Sequence, residues 1–350
     1  MAEQGVSYVD PVRVGVIGLG NMGQNHVRVL NRLPGVDLRA VSDPSAEAVE
    51  RATRSRMARA YSDYVRMLAN EDLELVVVAV PTHLHEEVAV AVLESGHHLL
   101  VEKPLAPDVP TATRLVELAS TVDRIASVGH IERYNPVLLA AKRGLRSGEL
   151  GRIFQVRANR TGPLPARISD VGVVTDLATH DFDAVRYLVG HKIERVFAET
   201  ARRMHRSHED LFSGLMRFDD GSIALFDVNW LTPVKIREMR VVGEGGMYVI
   251  DLLAQNLFFY ENADVGYWSD ATGRLGVSEG NMVRYRIDRA EPLETELSGI
   301  VRSIRGEDFE YVSMLDGLYA VALADAVKQS SELHEPVLFS EPALVLASRQ

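Results

Sequence analysis

Val12-Arg13-Val14-Gly15-Val16-Ile17-Gly18-Leu19-Gly20-Asn21-Met22-Gly23 is the stretch that decides the fold. Val12–Ile17 is a short β-branched run that reads as a strand. Gly18 to Gly23 form a G-x-G-x-x-G loop, and a helix-length segment then runs to Leu33 and stops at Pro34-Gly35. Strand, glycine loop and helix in that order open a dinucleotide-binding unit. Gly18 permits the tight turn, Gly20 lets the backbone approach a pyrophosphate, and Gly23 allows close helix packing. Asn21 and Met22 stand in the first turn of the helix, whose oriented N–H groups suit phosphates. The next strand, Val36–Ser42, ends at Asp43, twenty residues past Gly23. A carboxylate there accepts hydrogen bonds from ribose hydroxyls and repels a 2′-phosphate. Pro44 follows it instead of an arginine, so NAD is favoured over NADP.

Outward from that loop, strands and helices alternate. Pro44–Met57 reads as a helix, Leu75–Val80 as a continuous apolar strand, Leu84–Ser95 as a helix, His98–Val101 as a strand, Thr111–Val122 as a helix and Ile125–Val128 as a last strand. Alternation of this kind implies an α/β fold with a doubly wound parallel sheet. Continuous apolarity fits strands covered on both faces. After Gly129 the texture changes. Helices are expected at Pro136–Arg146 and Asp176–Val189, and strands at Arg152–Arg160, Ile193–Thr200, Phe212–Phe218, Ser222–Trp230, Arg237–Val242, Met247–Ile250, Leu257–Tyr260 and Met282–Ile287. Gly266–Gly280 reads as a loop, and Glu294–Arg305 and Val312–Ser331 close the chain as helices. The strand-rich half implies a mostly antiparallel sheet. The expected division is 1–130 for the NAD-binding domain and 131–350 for substrate binding and oligomerisation, with the closing helices free to pack back on the first.

Bulk properties narrow the function. With 350 residues, two domains are expected, and 46% hydrophobic residues suffice for packed cores. A net charge of −11 provides no general basic field for nucleic acid or an anionic membrane, although local arginines can still hold a small anion. The absence of cysteine excludes disulfides, thiolate nucleophiles and cysteine-bound metals. Without a signal-like start or a span-length apolar stretch, a soluble cytoplasmic protein is expected.

Two further segments carry chemistry. Glu102-Lys103-Pro104 ends a strand, where an X-Pro bond can turn the chain and aim the lysine at a reacting hydroxyl. An ammonium beside that oxygen stabilises a developing alkoxide. In Gly172-Val173-Val174-Thr175-Asp176-Leu177-Ala178-Thr179-His180-Asp181, a helix would set Asp176 and His180 one turn apart, with Asp183 and Tyr187 on the same stripe. The stripe is either a solvated polar face or the wall of a cleft facing the cofactor. An imidazole can take a hydroxyl proton as hydride leaves. No third ligand accompanies Asp176 and His180, so no metal is expected. Pro81-Thr82-His83-Leu84-His85 follows a strand end; Thr82 suits either cofactor contact or an N-cap. Consecutive strand residues face opposite ways, so His97 and His98 read as structural. His26, inside the first helix, reads the same way.

These residues together resemble the glucose–fructose oxidoreductase / inositol dehydrogenase family (Gfo/Idh/MocA) over nearly the whole chain. The likeness rests on Gly18-x-Gly20-x-x-Gly23, Pro81-Thr82-x-x-His85, Glu102-Lys103-Pro104 and Gly172-x3-Asp176-x3-His180. It implies a Rossmann domain, then an α/β domain whose open, mostly antiparallel sheet forms a homodimer or homotetramer interface. It also implies that Lys103, Asp176 and His180 are catalytic, and that Pro81, Thr82, His85 and Glu102 join the cofactor site. Gly129–Pro136 and Asp170–Asp181 further resemble the branch containing UDP-N-acetylglucosamine 3-dehydrogenase. On that reading Tyr134 and Asn135 contact substrate, and Arg157, Arg160 and Arg167 offer bidentate partners to its diphosphate. Open alternatives are an inositol or free-hexose dehydrogenase, a ketosugar reductase, and a non-catalytic NAD-sensing regulator.

Overall fold

The computed structural model describes residues 10–54, 58–165, 171–263 and 278–342. The chain forms two compact units. Among the described residues, one is built from 10–130 together with Leu293–Leu318, the other from Ile131–Pro292 together with 319–342.

In the first unit β1 (Val12–Ile17), α1 (Asn21–Leu30), β2 (Val36–Ser42), α2 (Ala46–Thr53), β3 (Arg59–Tyr61), α3 (Tyr64–Asn70), β4 (Leu75–Val78), α4 (His85–Glu94), β5 (His98–Glu102), α5 (Val109–Thr121) and β6 (Ala126–Gly129) follow in order. The six strands pair in parallel in the order β3-β2-β1-β4-β5-β6. Leu75–Val78 and Leu99–Val101 have no exposed surface, as strands covered on both faces require. The strand order reverses between β1 and β4, and the crevice at their carboxyl ends is where a doubly wound sheet takes its ligand. Ser45 starts α2 by accepting from the Ala48 N–H, and Asp108 starts α5 with Pro110 in its first turn. The expected helix over Pro44–Met57 is therefore shorter, ending at Thr53; Ser55 to Met57 lie outside the described residues. The sequence reading passed over β3 and α3. β3 is a three-residue, largely exposed edge strand without an apolar run, and Met67 is the one buried residue of α3. The helix Pro292–Ile304 belongs mostly to this unit.

The second unit is a nine-stranded sheet. Its strands are β7 (Ile153–Pro163), β8 (Ile193–Ala201), β9 (Leu211–Phe218), β10 (Ile223–Asn229), β11 (Leu231–Gly243), β12 (Gly246–Asp251), β13 (Asn256–Ala263), β14 (Ser278–Tyr285) and β15 (Val337–Leu338), in the order β14-β13-β12-β11-β7-β10-β9-β8-β15. Every neighbouring pair is antiparallel except β7 with β10. Ser278–Gly280 belong to β14, so the expected loop there is shorter; residues 264–277 lie outside the described ones. Helices α6 (Pro136–Arg146), α7 (Thr179–Val189) and α8 (Met314–Leu333) cover one sheet face and share its core. Phe182 holds α7 to the sheet, edge-on to Phe212 and Phe226 with centroids 5.8 and 5.3 Å away. Such pairs add about 0.5–1.5 kcal/mol each beyond burial.

Candidate active site

The glycine loop has the backbone geometry that its sequence demands. Gly18 has φ +87°, and a Cβ there would stand 2.5 Å from the Ala79 carbonyl oxygen. A Cβ on Gly23 would stand 1.9 Å from the Gly18 oxygen. A Cβ on Gly20 would meet nothing within 4 Å, and Gly20 starts α1 without a side-chain cap. The first N–H groups of α1 therefore face open space beside a bare backbone, which fits a pyrophosphate. Asp43 is fixed from both sides: one carboxylate oxygen accepts from the Leu19 N–H at 2.7 Å, the other from the Ser45 N–H at 2.8 Å. The carboxylate thus locks the end of β2 to the glycine loop and keeps lone pairs for ribose hydroxyls. This donor set fits NAD.

The end of β5 is braced from beneath. Glu102 is buried, accepts from His26 Nε2 at 2.7 Å and from the Lys103 N–H at 3.3 Å. Burial pushes its carboxyl up, but the hydrogen bond and charge of His26, with the charge of Lys103, outweigh burial and hold it below the usual range. The Lys103–Pro104 bond is cis. His85 does not face a ligand. It is 1% exposed, with Nδ1 2.9 Å from the Pro104 oxygen and Nε2 3.0 Å from the Val80 oxygen. The expectation that His85 contacts cofactor is corrected: its ring joins the ends of β4 and β5. Burial holds its pKa below the ordinary imidazole value. Thr82 does not cap α4 either; it opens a single 3₁₀ turn, Thr82–Leu84, without a side-chain cap bond.

In the second unit, Asp176 and His180 are half-buried, but the segment that carries them is not a uniform α-helix. Val174–Ala178 is a π-helical turn leading into α7. Single π turns recur at functional sites and widen the spacing of an i, i+4 pair. Glu209, from the loop before β9, holds the start of this turn. Its main-chain oxygen accepts from the Val173 N–H at 2.9 Å and its carboxylate from the Val174 N–H at 3.3 Å. A Cβ on Gly172 would stand 2.1 Å from the Glu209 carboxylate, so a larger residue there would displace that side chain from the turn. Nothing local in the sequence pointed to Glu209.

The polar stripe beyond His180 is neither solvated nor a cleft wall. Asp183 and Arg133 form a buried pair, with Arg133 Nε 3.1 Å from Asp183 Oδ2, and Arg133 lies over the Tyr187 ring at 5.1 Å. Arg160, 1% exposed, donates Nε to both Asp181 oxygens at 2.9 and 2.8 Å and Nη2 to Glu132 at 2.7 Å. Two internal carboxylates thus hold Arg160 through Nε and Nη2, and its Nη1 has no partner among the described residues. The reading of Asn135 as a substrate contact is corrected: Oδ1 caps α6 at the Val137 N–H, and Nδ2 donates to the Leu252 oxygen at 3.0 Å. Tyr134 is 2% exposed, packed in the interior instead of presented to substrate. Arg157 is exposed on β7 one residue out of phase with the buried Val156 and Ala158, so it stands on the other sheet face. Arg167 lies outside the described residues.

The second unit also holds a cavity of about 320 Å³, lined by Asp176, Arg160, Thr161, Trp230, Lys235 and Arg237 among others. Sequence reasoning missed Trp230, Lys235 and Arg237, which no motif marks.

The chain has counterparts among known proteins. The oxidoreductase-family NAD-binding Rossmann fold (GFO_IDH_MocA) matches residues 12–130, and the C-terminal domain of the same family matches residues 138–249. The chain belongs to the Gfo/Idh/MocA oxidoreductase family. It is similar to inositol 2-dehydrogenase 4 of Saccharopolyspora erythraea, 29% identical over 340 residues, 95% of this chain and 98% of that one. It is 27% identical to UDP-N-acetylglucosamine 3-dehydrogenase of Acidithiobacillus ferrooxidans over 249 residues, 71% of this chain and 77% of that one. A solved structure of the latter enzyme superposes with a TM-score of 0.80 at 24% identity, covering 93% of this chain and 99% of that one. This Gfo/Idh/MocA member is thus an NAD-using oxidoreductase of sugar hydroxyls. No helix among its described residues is long and apolar enough to cross a membrane.

Proposed function

We propose that the chain oxidises a secondary hydroxyl of a nucleotide-linked sugar. NAD, when bound, supplies the hydride acceptor. Lys103 donates a hydrogen bond to the reacting oxygen and stabilises the charge that develops on it. His180 takes the hydroxyl proton, and Asp176 orients His180 or a neighbouring sugar hydroxyl. Thr82, Asp43 and the glycine loop hold the cofactor, with NAD preferred to NADP because Asp43 repels a 2′-phosphate.

The observation that carries the nucleotide-sugar reading is the composition of the cavity wall at Asp176. It combines one carboxylate suited to a sugar hydroxyl with the cations Lys235 and Arg237, which a neutral polyol does not need. The second reading, an inositol dehydrogenase, is favoured by the 29% identity to inositol 2-dehydrogenase 4 along almost the full length of both chains. NADH formation from NAD with UDP-N-acetylglucosamine, myo-inositol and glucose separates the two. Turnover on the nucleotide sugar is expected. Turnover on myo-inositol alone rejects it. Lys103→Ala should retain NAD binding and lose about 10²–10³ in kcat, the range for removing one donor to a developing oxyanion. Near-normal turnover rejects the role.

A homodimer or homotetramer is the proposed assembly. The uncovered sheet face supports it: Phe197, Leu215, Leu225, Val249 and Phe258 fall in one cross-strand row there, broken by Arg157 and Arg240.

A further inference from the structure

Three residues that line the Asp176 cavity each carry a buried polar atom with no hydrogen-bond partner among the described residues. The atoms are Trp230 Nε1, Thr161 Oγ1 and Arg160 Nη1. Their residues are 3%, 5% and 1% exposed. A buried donor without a partner costs about 1–3 kcal/mol, more for a charged group. Three such atoms fall among the residues lining this one cavity, where a polar ligand would satisfy them.

The charges of the same lining point the same way. Arg160 of β7 and Arg237 of β11 are direct cross-strand partners. Like charges so placed repel. Glu132 is shared between them, 2.7 Å from Arg160 and 3.9 Å from Arg237, and Asp181 pairs with Arg160 at 2.8 Å. Lys235 adds a third cation, its backbone and stem against Gly162. The neighbouring Arg237 is the main influence that holds the Lys235 ammonium below its ordinary pKa, with burial second. The cavity is therefore lined by the cations Lys235 and Arg237 and by Asp176, with the unused buried donors carried by residues of the same lining.

We propose that this cavity is an oxyanion subsite that reads a negatively charged oxygen group on the same sugar ring that is oxidised. Lys235 and Arg237 supply the charge, the Trp230 indole N–H and the Thr161 hydroxyl supply fixed donors, and Asp176 takes a hydroxyl of that ring. A carboxylate at the exocyclic carbon and a phosphate at the anomeric carbon share this chemistry. The inference refines the dehydrogenase reading by naming the class of sugar, an anionic one.

The test is calorimetric titration of the full-length protein saturated with NADH, using glucuronate, glucose 1-phosphate and glucose as probes. At least one anionic probe should bind about tenfold or more tighter than glucose, the size expected of a charge-assisted hydrogen bond. That advantage should fall about tenfold in Lys235→Ala, an exposed position whose truncation spares the core, and less in Trp230→Phe. Preference for glucuronate assigns the ring carboxylate, preference for glucose 1-phosphate the anomeric phosphate, and comparable binding of both the shared oxyanion. Equal affinity for glucose and both anions overturns the proposal, as does an advantage that survives Lys235→Ala intact. Binding and chemistry fail separately. Tight anion binding with no NADH formed from any sugar keeps the subsite and rejects the dehydrogenase assignment. Oxidation of a neutral sugar with KM unchanged in Lys235→Ala does the reverse.

Discussion

The nucleotide cradle and the helix that carries His180 are built by opposite means. The cradle is made of backbone: Gly18 and Gly23 are forced by carbonyl oxygens at 2.5 and 1.9 Å from any Cβ, and Gly20 by the space it leaves. The helix is held by buried charge: Glu132, Arg160 and Asp181 in one cluster, Arg133 and Asp183 in another, and Glu209 on its first turn. Backbone recognition tolerates side-chain change around it, provided glycine stays glycine. A buried charge cluster tolerates almost no change, because removing one partner strands the others in low dielectric.

The largest effect that can break this comparison is Arg160→Met. It keeps much of the volume but leaves Glu132 and Asp181 without their shared cation. A loss of about 3–5 kcal/mol in unfolding free energy is expected. Gly20→Ala is the matched change in the cradle. Its φ of −66° accommodates alanine and its Cβ meets nothing, so the melting temperature should hold while NAD affinity falls. Denaturant titration and cofactor calorimetry on both variants check the pair. If Arg160→Met costs under about 1 kcal/mol, the charge cluster is not what holds the helix.

Asp43→Ala sharpens the comparison at intermediate size. The carboxylate both ties Leu19 and Ser45 and faces the ribose, so its loss touches geometry and recognition together. NAD should bind about 10–100-fold more weakly, the value of one or two hydrogen bonds to a charged acceptor. NADP should lose less or gain, because the repulsion goes too. An unchanged ratio of NAD to NADP affinity would show that Asp43 serves the loop alone.

This contrast explains what was legible in the sequence. β1 and β2 begin and end where the apolar runs predicted, and the glycine spacing carried its own meaning, because every atom involved lies within one strand–loop–helix unit. The strand-rich half was legible as antiparallel for a similar reason, since hairpin turns are local. The parallel β7–β10 pair was not, since it joins residues distant in sequence. The charge clusters were hidden for the same reason. Glu132, Arg160, Asp181 and Arg237 come from four segments, and each alone reads as an ordinary polar residue. Reading Asn135 as a substrate contact failed because burial and partners, not residue type, decide whether a polar group is free. The π turn at Asp176 was unforeseeable on any α-helical template, since Glu209 holds it from outside the segment.

The smallest expected effect separates the two units by pH. In the first unit His85, His97 and His98 all have pKa values lowered chiefly by burial. Their folded pKa lies below the unfolded value of 6.5, so the unfolded chain binds protons first. Stability is fully present above about pH 6.5 and is lost as pH falls below it, by at most about 1.4 kcal/mol per pH unit for each histidine. His98 shows why: its Nδ1 accepts the Ile125 N–H at 2.8 Å, and a proton there breaks the bond joining β5 to the start of β6. In the second unit the sign is opposite. Burial pushes Asp181 from the ordinary carboxylate value of 3.8 up to about 6, against the pull of Arg160. The folded state therefore binds the extra proton, and this group adds stability as pH falls through 6. Hydrogen exchange by mass spectrometry at pH 7 and pH 5, corrected for intrinsic rates, reads both units in one experiment. Peptides over β5 and β6 should lose protection while those over β7 and α7 hold or gain it. His98→Asn keeps an acceptor near the Ile125 N–H without the titration, and should flatten the first trend by up to one proton. Equal loss in both units would mean that acid acts on the chain as a whole and not through these buried groups.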